Sequence, residues 1–119
     1  MTDPTIAAVH AHVAAFNADD LAALVDGFSD DAVFATGEHL VVGKRGITSM
    51  FADALANLDA RLELRSAVVQ GETAACELTE RLGMEGRTFE FHLAAFYTVR
   101  EGRIARAKIY REGSADPPN

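Results

Sequence analysis

The stretch from Val13 to Met50, VAAFNADDLAALVDGFSDDAVFATGEHLVVGKRGITSM, constrains this chain more than any other. Its apolar residues switch from helical spacing to alternation and back. A first helix ends near Phe16. Asn17 to Asp20 breaks it and caps a second, marked by Leu21, Leu24, Val25 and Phe28. Ser29, Asp30 and Asp31 read as a turn, Ala32 to Thr36 as a short strand, and His39 to Val42 as another between Gly37 and Gly43. Ile47, Met50, Phe51, Ala54, Leu55 and Leu58 then return to helical spacing. Two helices, two short strands and a third helix, in that order, predict a cone-shaped α+β fold enclosing a pocket.

The flanks extend the pattern. Asp3-Pro4 is a helix start, with a capping carboxylate followed by a proline where no backbone donor is lost. Ile6, Val9, Val13 and Phe16 form its apolar stripe. Everything after Leu58 reads as strand. Arg61 to Gln70 places Leu62, Leu64 and Val68 on one face, and Gly71-Glu72 turns the chain into Thr73 to Leu82. Glu85-Gly86 and Glu101-Gly102 are further tight turns, bounding the strands Arg87 to Arg100 and Arg103 to Glu112. On the longest strand, Phe89, Phe91, Leu93, Ala95, Tyr97 and Val99 share the face expected to meet the helices. Ala94 and Phe96 lie on the other, which suits a sheet face covered by a second copy of the chain. The expected architecture is three N-terminal helices packed on a strongly curved, mainly antiparallel sheet. One domain spans residues 1–119, with a frayed tail over 113–119.

Composition narrows the function classes. At 119 residues with 49% hydrophobic side chains, the chain can bury roughly 65% of its unfolded surface. Eleven basic against 18 acidic residues give a net charge of −7, and the basic ones are scattered. Nucleic acid and anionic membranes are therefore not expected partners. No apolar run approaches the ~20 residues of a membrane span. The N-terminus has no signal-peptide pattern, and the lone cysteine, Cys76, fits a reducing cytoplasm. Cys76 alternates with Ala74 and Leu78, as a small buried hydrophobe does. Nine arginines against two lysines, with abundant alanine, are the composition of a GC-rich bacterial source.

The runs AFNADDLAALVDGFSDDAVF, VGKRGI and VREGRIARAKIY resemble the nuclear-transport-factor-2-like superfamily, and within it the SnoaL-like branch of polyketide cyclases, close to the Δ5-3-ketosteroid isomerases. The resemblance covers about Ile6 to Arg111 and is carried by fold motifs. It implies a small apolar organic ligand held between the helices and the sheet, and a homodimer through the outer sheet face. It also implies where isomerase machinery would fall. The isomerases' oxyanion-hole tyrosine aligns with His12, their general-base aspartate with Thr36, and their protonated aspartate with Ala95. Threonine cannot serve as that base and alanine donates nothing, so steroid isomerisation is not expected.

The remaining polar residues define a candidate site. His12 flanks the first helix's apolar stripe, and an imidazole there can move a proton near neutrality; the alternative is a structural or surface histidine. Glu80 is in phase with Ala74, Cys76 and Leu78. Either it enters the cavity, where apolar surroundings favour the neutral acid, or it reaches water at the sheet rim. Tyr97, inward by phase, can orient a ligand through its hydroxyl or sit in the core. Phe16, Phe34, Thr36, Phe51, Leu93 and Ala95 are the expected walls. His10, His39 and His92 are expected outside the site. With no CxxC, HxxxH, Walker or GxGxxG pattern, neither metal nor cofactor is expected. Two functions follow: a cofactor-independent cyclase, isomerase or hydratase acting on an apolar carbonyl or polyketide-like substrate, or a non-catalytic binding or dimerisation module.

Overall fold

In the computed structural model, which describes residues 3–112, three helices pack against one face of a six-stranded sheet. The expected tail over 113–119 lies outside the described residues. Helix α1 (Pro4–Asn17) is capped by Asp3, whose side chain accepts from the Thr5 backbone N–H at 2.7 Å. Helix α2 (Leu21–Asp26) is capped in the same way by Asp20. Strands β1 (Phe28–Thr36) and β2 (His39–Val42) precede α3 (Lys44–Asn57), and β3 (Arg61–Gln70), β4 (Thr73–Met84), β5 (Arg87–Arg100) and β6 (Arg103–Glu112) complete the sheet.

The strand order is β2-β1-β6-β5-β4-β3. Consecutive strands from β3 to β6 pair antiparallel, through two-residue loops at Glu85-Gly86 and Glu101-Gly102. Both residues of each loop have positive φ, as a type I′ hairpin demands. β1 pairs antiparallel with β2 but parallel with β6.

Several expectations are corrected. The sheet is neither closed nor strongly curled, so the cone with a strongly curved sheet does not stand; β2 and β3 are free edges. Bulges bend a ladder where they occur, and β1–β6, β3–β4 and β5–β6 each carry a register shift. The central β4–β5 ladder instead runs without a register shift from Thr73↔Thr98 to Met84↔Arg87. Nor is the sheet a pure antiparallel meander, since β1 lies alongside β6 in the same direction. Phe28 begins β1 instead of ending α2, because Gly27 closes the helix and its carbonyl accepts from Ile104 N at 2.8 Å. On β3 a register shift between Leu64 and Ser66 reverses the alternation. Ala67 and Val69 pack on the core, and Val68 is 71% exposed.

Two contacts place α1 and α3. Asn17 donates from its side-chain amide to the Leu62 carbonyl and accepts from the Leu62 N–H, both at 2.8 Å, so it acts as a strand partner for edge strand β3. Gly46 lies so near β2 that an added Cβ would meet Val41 Cγ1 at 2.7 Å, and only glycine allows α3 that close. Val9, Leu24, Phe28, Ile47, Leu78, Ile104 and Tyr97 are almost fully enclosed between the helices and the sheet.

Candidate functional site

A cavity of about 310 Å³ opens between the helices and the inner sheet face. Its walls are apolar: Phe16 from α1, Phe34 from β1, Met50, Phe51 and Ala54 from α3, and Leu62, Leu78, Leu82, Leu93 and Ile109 from the later strands. Five polar side chains break that lining: His12, Thr36, Glu80, Tyr97 and Arg111. A mostly apolar box with a few convergent polar groups is the usual make-up of a small-molecule site.

The polar groups divide between two ends. At the mouth, Arg111 donates from Nη1 to Glu80 Oε1 at 2.7 Å and from Nη2 to Oε2 at 3.2 Å, while its Nε donates to Thr36 Oγ1 at 2.9 Å. The Glu80 side chain is 10% exposed and that of Arg111 40%. This bidentate pair fixes the plane of the carboxylate. Glu80 therefore lines the cavity with its carboxylate paired to a guanidinium.

At the deep end, the buried residues of α1 are Thr5, Val9, His12, Ala15 and Phe16, so His12 sits within the buried stripe, where Val13 is only half-buried. The imidazole packs against three rings, with centroids 5.5 Å from Phe28, 5.9 Å from Phe51 and 5.7 Å from Tyr97. Burial pushes its pKa down to about 4, so it is neutral at pH 7. Its Nδ1 is buried and has no hydrogen-bond partner among the described residues. The Tyr97 hydroxyl is pushed well above its ordinary pKa, first by burial and then by electrostatic repulsion from Cys76 and Glu80. It is a neutral phenol that lines the cavity.

Tyr97 pairs with Ala74 on β4, and Glu80 lies six residues further along that strand, yet both side chains line the one cavity and the Glu80 charge is felt at the Tyr97 hydroxyl. His12 and Glu80 thus share a cavity. Phe16, Phe34, Thr36, Phe51 and Leu93 also line this cavity, whereas Ala95 is buried behind the wall. Cys76 is buried too, and desolvation pushes its thiol up to about 11. His10 and His39 are exposed away from the cavity. His92 approaches Glu90 at 3.9 Å on the outer sheet face. Arg111 was not expected in the site. Its alternation with Ala107 and Ile109 on β6 was the available signal, masked by a charge that read as surface. No cluster of three metal-binding side chains exists among the described residues, and no helix among them is long and apolar enough to cross a membrane.

A model of the SnoaL-like domain matches residues 9–107. The chain belongs to this family. Its fold is that of the nuclear-transport-factor-2-like superfamily, in agreement with the resemblance read from the sequence. An LEH-like epoxide hydrolase from M. tuberculosis superposes with a TM-score of 0.85 at 20% identity, over 92% of this chain and 83% of that one. TerC, co-crystallised with polyporic acid, superposes with a TM-score of 0.84 at 22% identity over 92% of each chain. A putative ketosteroid isomerase from Kribbella flavida gives 0.82 at 17% identity, over 99% and 84%. At such identities these likenesses show the fold alone. No curated protein matches the chain. SnoaL-like membership accounts for the cavity between helices and sheet, and leaves its chemistry to the residues lining it.

Proposed function

We propose that this SnoaL-like chain binds a small, largely apolar organic molecule and moves a proton on it without a cofactor. The reaction class is that of an isomerase, cyclase or hydratase acting on a carbonyl compound. The carrying observation is the Glu80 carboxylate, buried in the cavity and oriented by Arg111 at 2.7 and 3.2 Å. Two of its roughly four lone-pair sites are used by that pair, and the others remain able to accept a proton from a substrate carbon. Tyr97, a neutral phenol, donates to the carbonyl oxygen as negative charge builds there. His12 is neutral at pH 7 and acts as a hydrogen-bonding group instead of a charged acid. Thr36 keeps Arg111 in place and supplies no base, so Δ5-3-ketosteroids are not substrates. The neighbours named as an epoxide hydrolase and a putative ketosteroid isomerase support a cofactor-free reaction on this scaffold.

Hydrogen–deuterium exchange at the α-carbon of bound ketones, followed by NMR, tests this reading before any product is known. Exchange by the native protein, with Glu80→Gln binding the same ketones but exchanging them far more slowly, supports it. Binding without exchange moves the chain to the second reading, a non-catalytic ligand-binding module. The bidentate hold on Glu80 favours that reading, because it already engages both carboxylate oxygens.

The same proposal includes a homodimer through the outer sheet face. Val68, Ala75 and Phe96 form one row across β3, β4 and β5 by register. Beside it the ring of Tyr110 lies 6.0 Å from that of Phe96, and Phe96 and Tyr110 are 47% and 51% exposed. A second copy would cover this apolar area. Sedimentation tests it: the native chain should run as a dimer at micromolar concentration and Phe96→Glu as a monomer. A native monomer under those conditions would refute it.

A further inference from the structure

The outer sheet face divides into two parts of different character. Near the β4–β5 loop its charges are matched within the chain. Arg81 lies 3.7 Å from Glu63 and 3.1 Å from Glu90, and Arg65 donates to Thr79 Oγ1 at 3.4 Å. Further along the same strands, one row crosses all six by register: Leu40, Ala35, Lys108, Phe96, Ala75 and Val68. Five of these are apolar. Lys108 has no carboxylate partner among the described residues, and its ammonium lies 5.1 Å from the centre of the Tyr110 ring. The adjacent row runs Tyr110, Ala94, Glu77. Glu77 is exposed on β4 and has no cation partner among the described residues.

We propose that two copies of the chain meet about a two-fold axis running along β5, so that β4 of each copy covers β6 of the other and Glu77 of each pairs with Lys108 of the other. The inference rests on the outer-face dimer and fixes how its two halves are arranged.

Charge selects the axis. Arg106 lies two residues from Lys108 on the same face of β6, exposed and also without a carboxylate among the described residues. An axis along β6, or one across the strands, stacks β6 on β6 and brings these cations together. An axis along β4 sets Glu77 against Glu77. Like charges face to face disfavour each of these arrangements. An axis along β5 exchanges β4 with β6 and opposes unlike charges twice, once on each side.

Shape agrees with charge. Under that axis, β3 of one copy lies over β1 of the other. Val68, 71% exposed, then points into a hollow between Val33, Ala35, Leu40 and Lys108. Phe96 meets its own counterpart near the axis. Sheets stacked face to face stand about 10 Å apart, a gap that lysine and glutamate side chains span together. The Lys108 ammonium already leans over Tyr110, whose row is that of Glu77.

A mixing experiment tests the arrangement by sedimentation equilibrium, with circular dichroism checking that each variant is folded. Lys108→Glu alone opposes two pairs of carboxylates in its homodimer, and Glu77→Lys alone opposes two pairs of ammonium groups. Each should dimerise at least about tenfold more weakly than the native chain. Mixing the two variants creates a heterodimer in which one contact is native and the other reversed, so both are again attractive. The mixture should dimerise within about threefold of the native affinity. Should a charge-reversed variant fail to fold, Lys108→Met and Glu77→Gln replace them. Their double variant should then dimerise no more weakly than the weaker single one. A native dimer unaffected by either charge reversal overturns the arrangement and leaves the outer-face dimer standing, provided Phe96→Glu still dissociates it. Variants that weaken the dimer but are not restored by mixing overturn it equally. A native chain that is monomeric removes the outer-face dimer itself, and this arrangement with it.

Discussion

At the mouth of the cavity a carboxylate and a guanidinium meet at 2.7 Å, whereas at the deep end an imidazole and a phenol sit neutral among aromatic rings. Both ends place polar atoms in apolar walls, and they meet the cost differently. The mouth keeps its charges and pairs them within reach of water. The deep end gives up charge altogether, and burial there pushes His12 down to about 4. A carboxylate oriented by a guanidinium is suited to take a proton, while the neutral groups are suited to hold and polarise. Under the proposed function, that contrast gives proton transfer to Glu80 and ligand orientation to His12 and Tyr97.

The largest expected effect breaks that assignment if it is wrong. Glu80→Gln should reduce α-proton exchange by about 10²- to 10⁴-fold with ligand affinity little changed. The same experiment on His12→Phe should change ligand affinity more than the rate of exchange. If loss of His12 abolishes exchange and loss of Glu80 does not, the two ends have been assigned the wrong way round.

A second effect concerns acid. His12 has an ordinary pKa of 6.5 and a folded value of about 4, so between those values the unfolded chain takes a proton that the native chain refuses. Stability therefore falls as pH drops through this window, by about 3 kcal/mol once pH is below both values. Above pH 6.5 the residue contributes no slope. Urea unfolding at pH 7, 5 and 4 measures this, and His12→Phe should flatten that part of the profile. An unchanged slope in the variant would place the acid sensitivity elsewhere.

The two ends also differed in how far they could be read from the sequence. Alternation on β4 put Glu80 in phase with Ala74, Cys76 and Leu78, because an unbulged strand keeps its period and β4–β5 has no register shift. The same logic misjudged Val68, since the shift after Leu64 reverses the faces of β3 and no residue announces it. His12 was legible as a neighbour of the core but not as part of it, because a stripe counted on apolar residues alone passes over a buried imidazole. Arg111 was passed over for a related reason: a charged residue near a strand end reads as solvated, and only its distant partner on β4 gives it a place inside. The parallel β1–β6 pair and the modest curl of the sheet depend on long-range pairing, which local periodicity does not encode.

Breaking the mouth's ion pair should cost less than the acid effect. Arg111→Ala leaves a nearly buried carboxylate without its guanidinium, but the pair lies at the cavity entrance where water can replace part of the lost contact. A loss of about 2 kcal/mol in chemical denaturation is expected. Replacing both partners by apolar side chains, Arg111→Met with Glu80→Leu, should recover most of it, because no charge is then left to desolvate. A double variant less stable than Arg111→Ala would show that the pair stabilises through its geometry and not through mutual neutralisation.

The smallest effect sharpens the comparison most. Thr36→Val keeps the shape of the side chain and removes the oxygen that accepts from Arg111 Nε at 2.9 Å. At the deep end, an unmatched polar atom would bear the full cost of its lost hydration. At the mouth, the Arg111 side chain is 40% exposed, so its Nε can turn to water and the guanidinium keeps both bonds to Glu80. Thr36→Val should therefore lower stability by no more than about 0.5 to 1 kcal/mol. Its trace should be kinetic: with one of three tethers gone the guanidinium is held less firmly, and α-proton exchange should slow a few-fold while affinity stays the same. A loss of stability as large as that of Arg111→Ala would mean that the mouth is as dry as the deep end, and the contrast between a wet, charged entrance and a dry, neutral floor would fall.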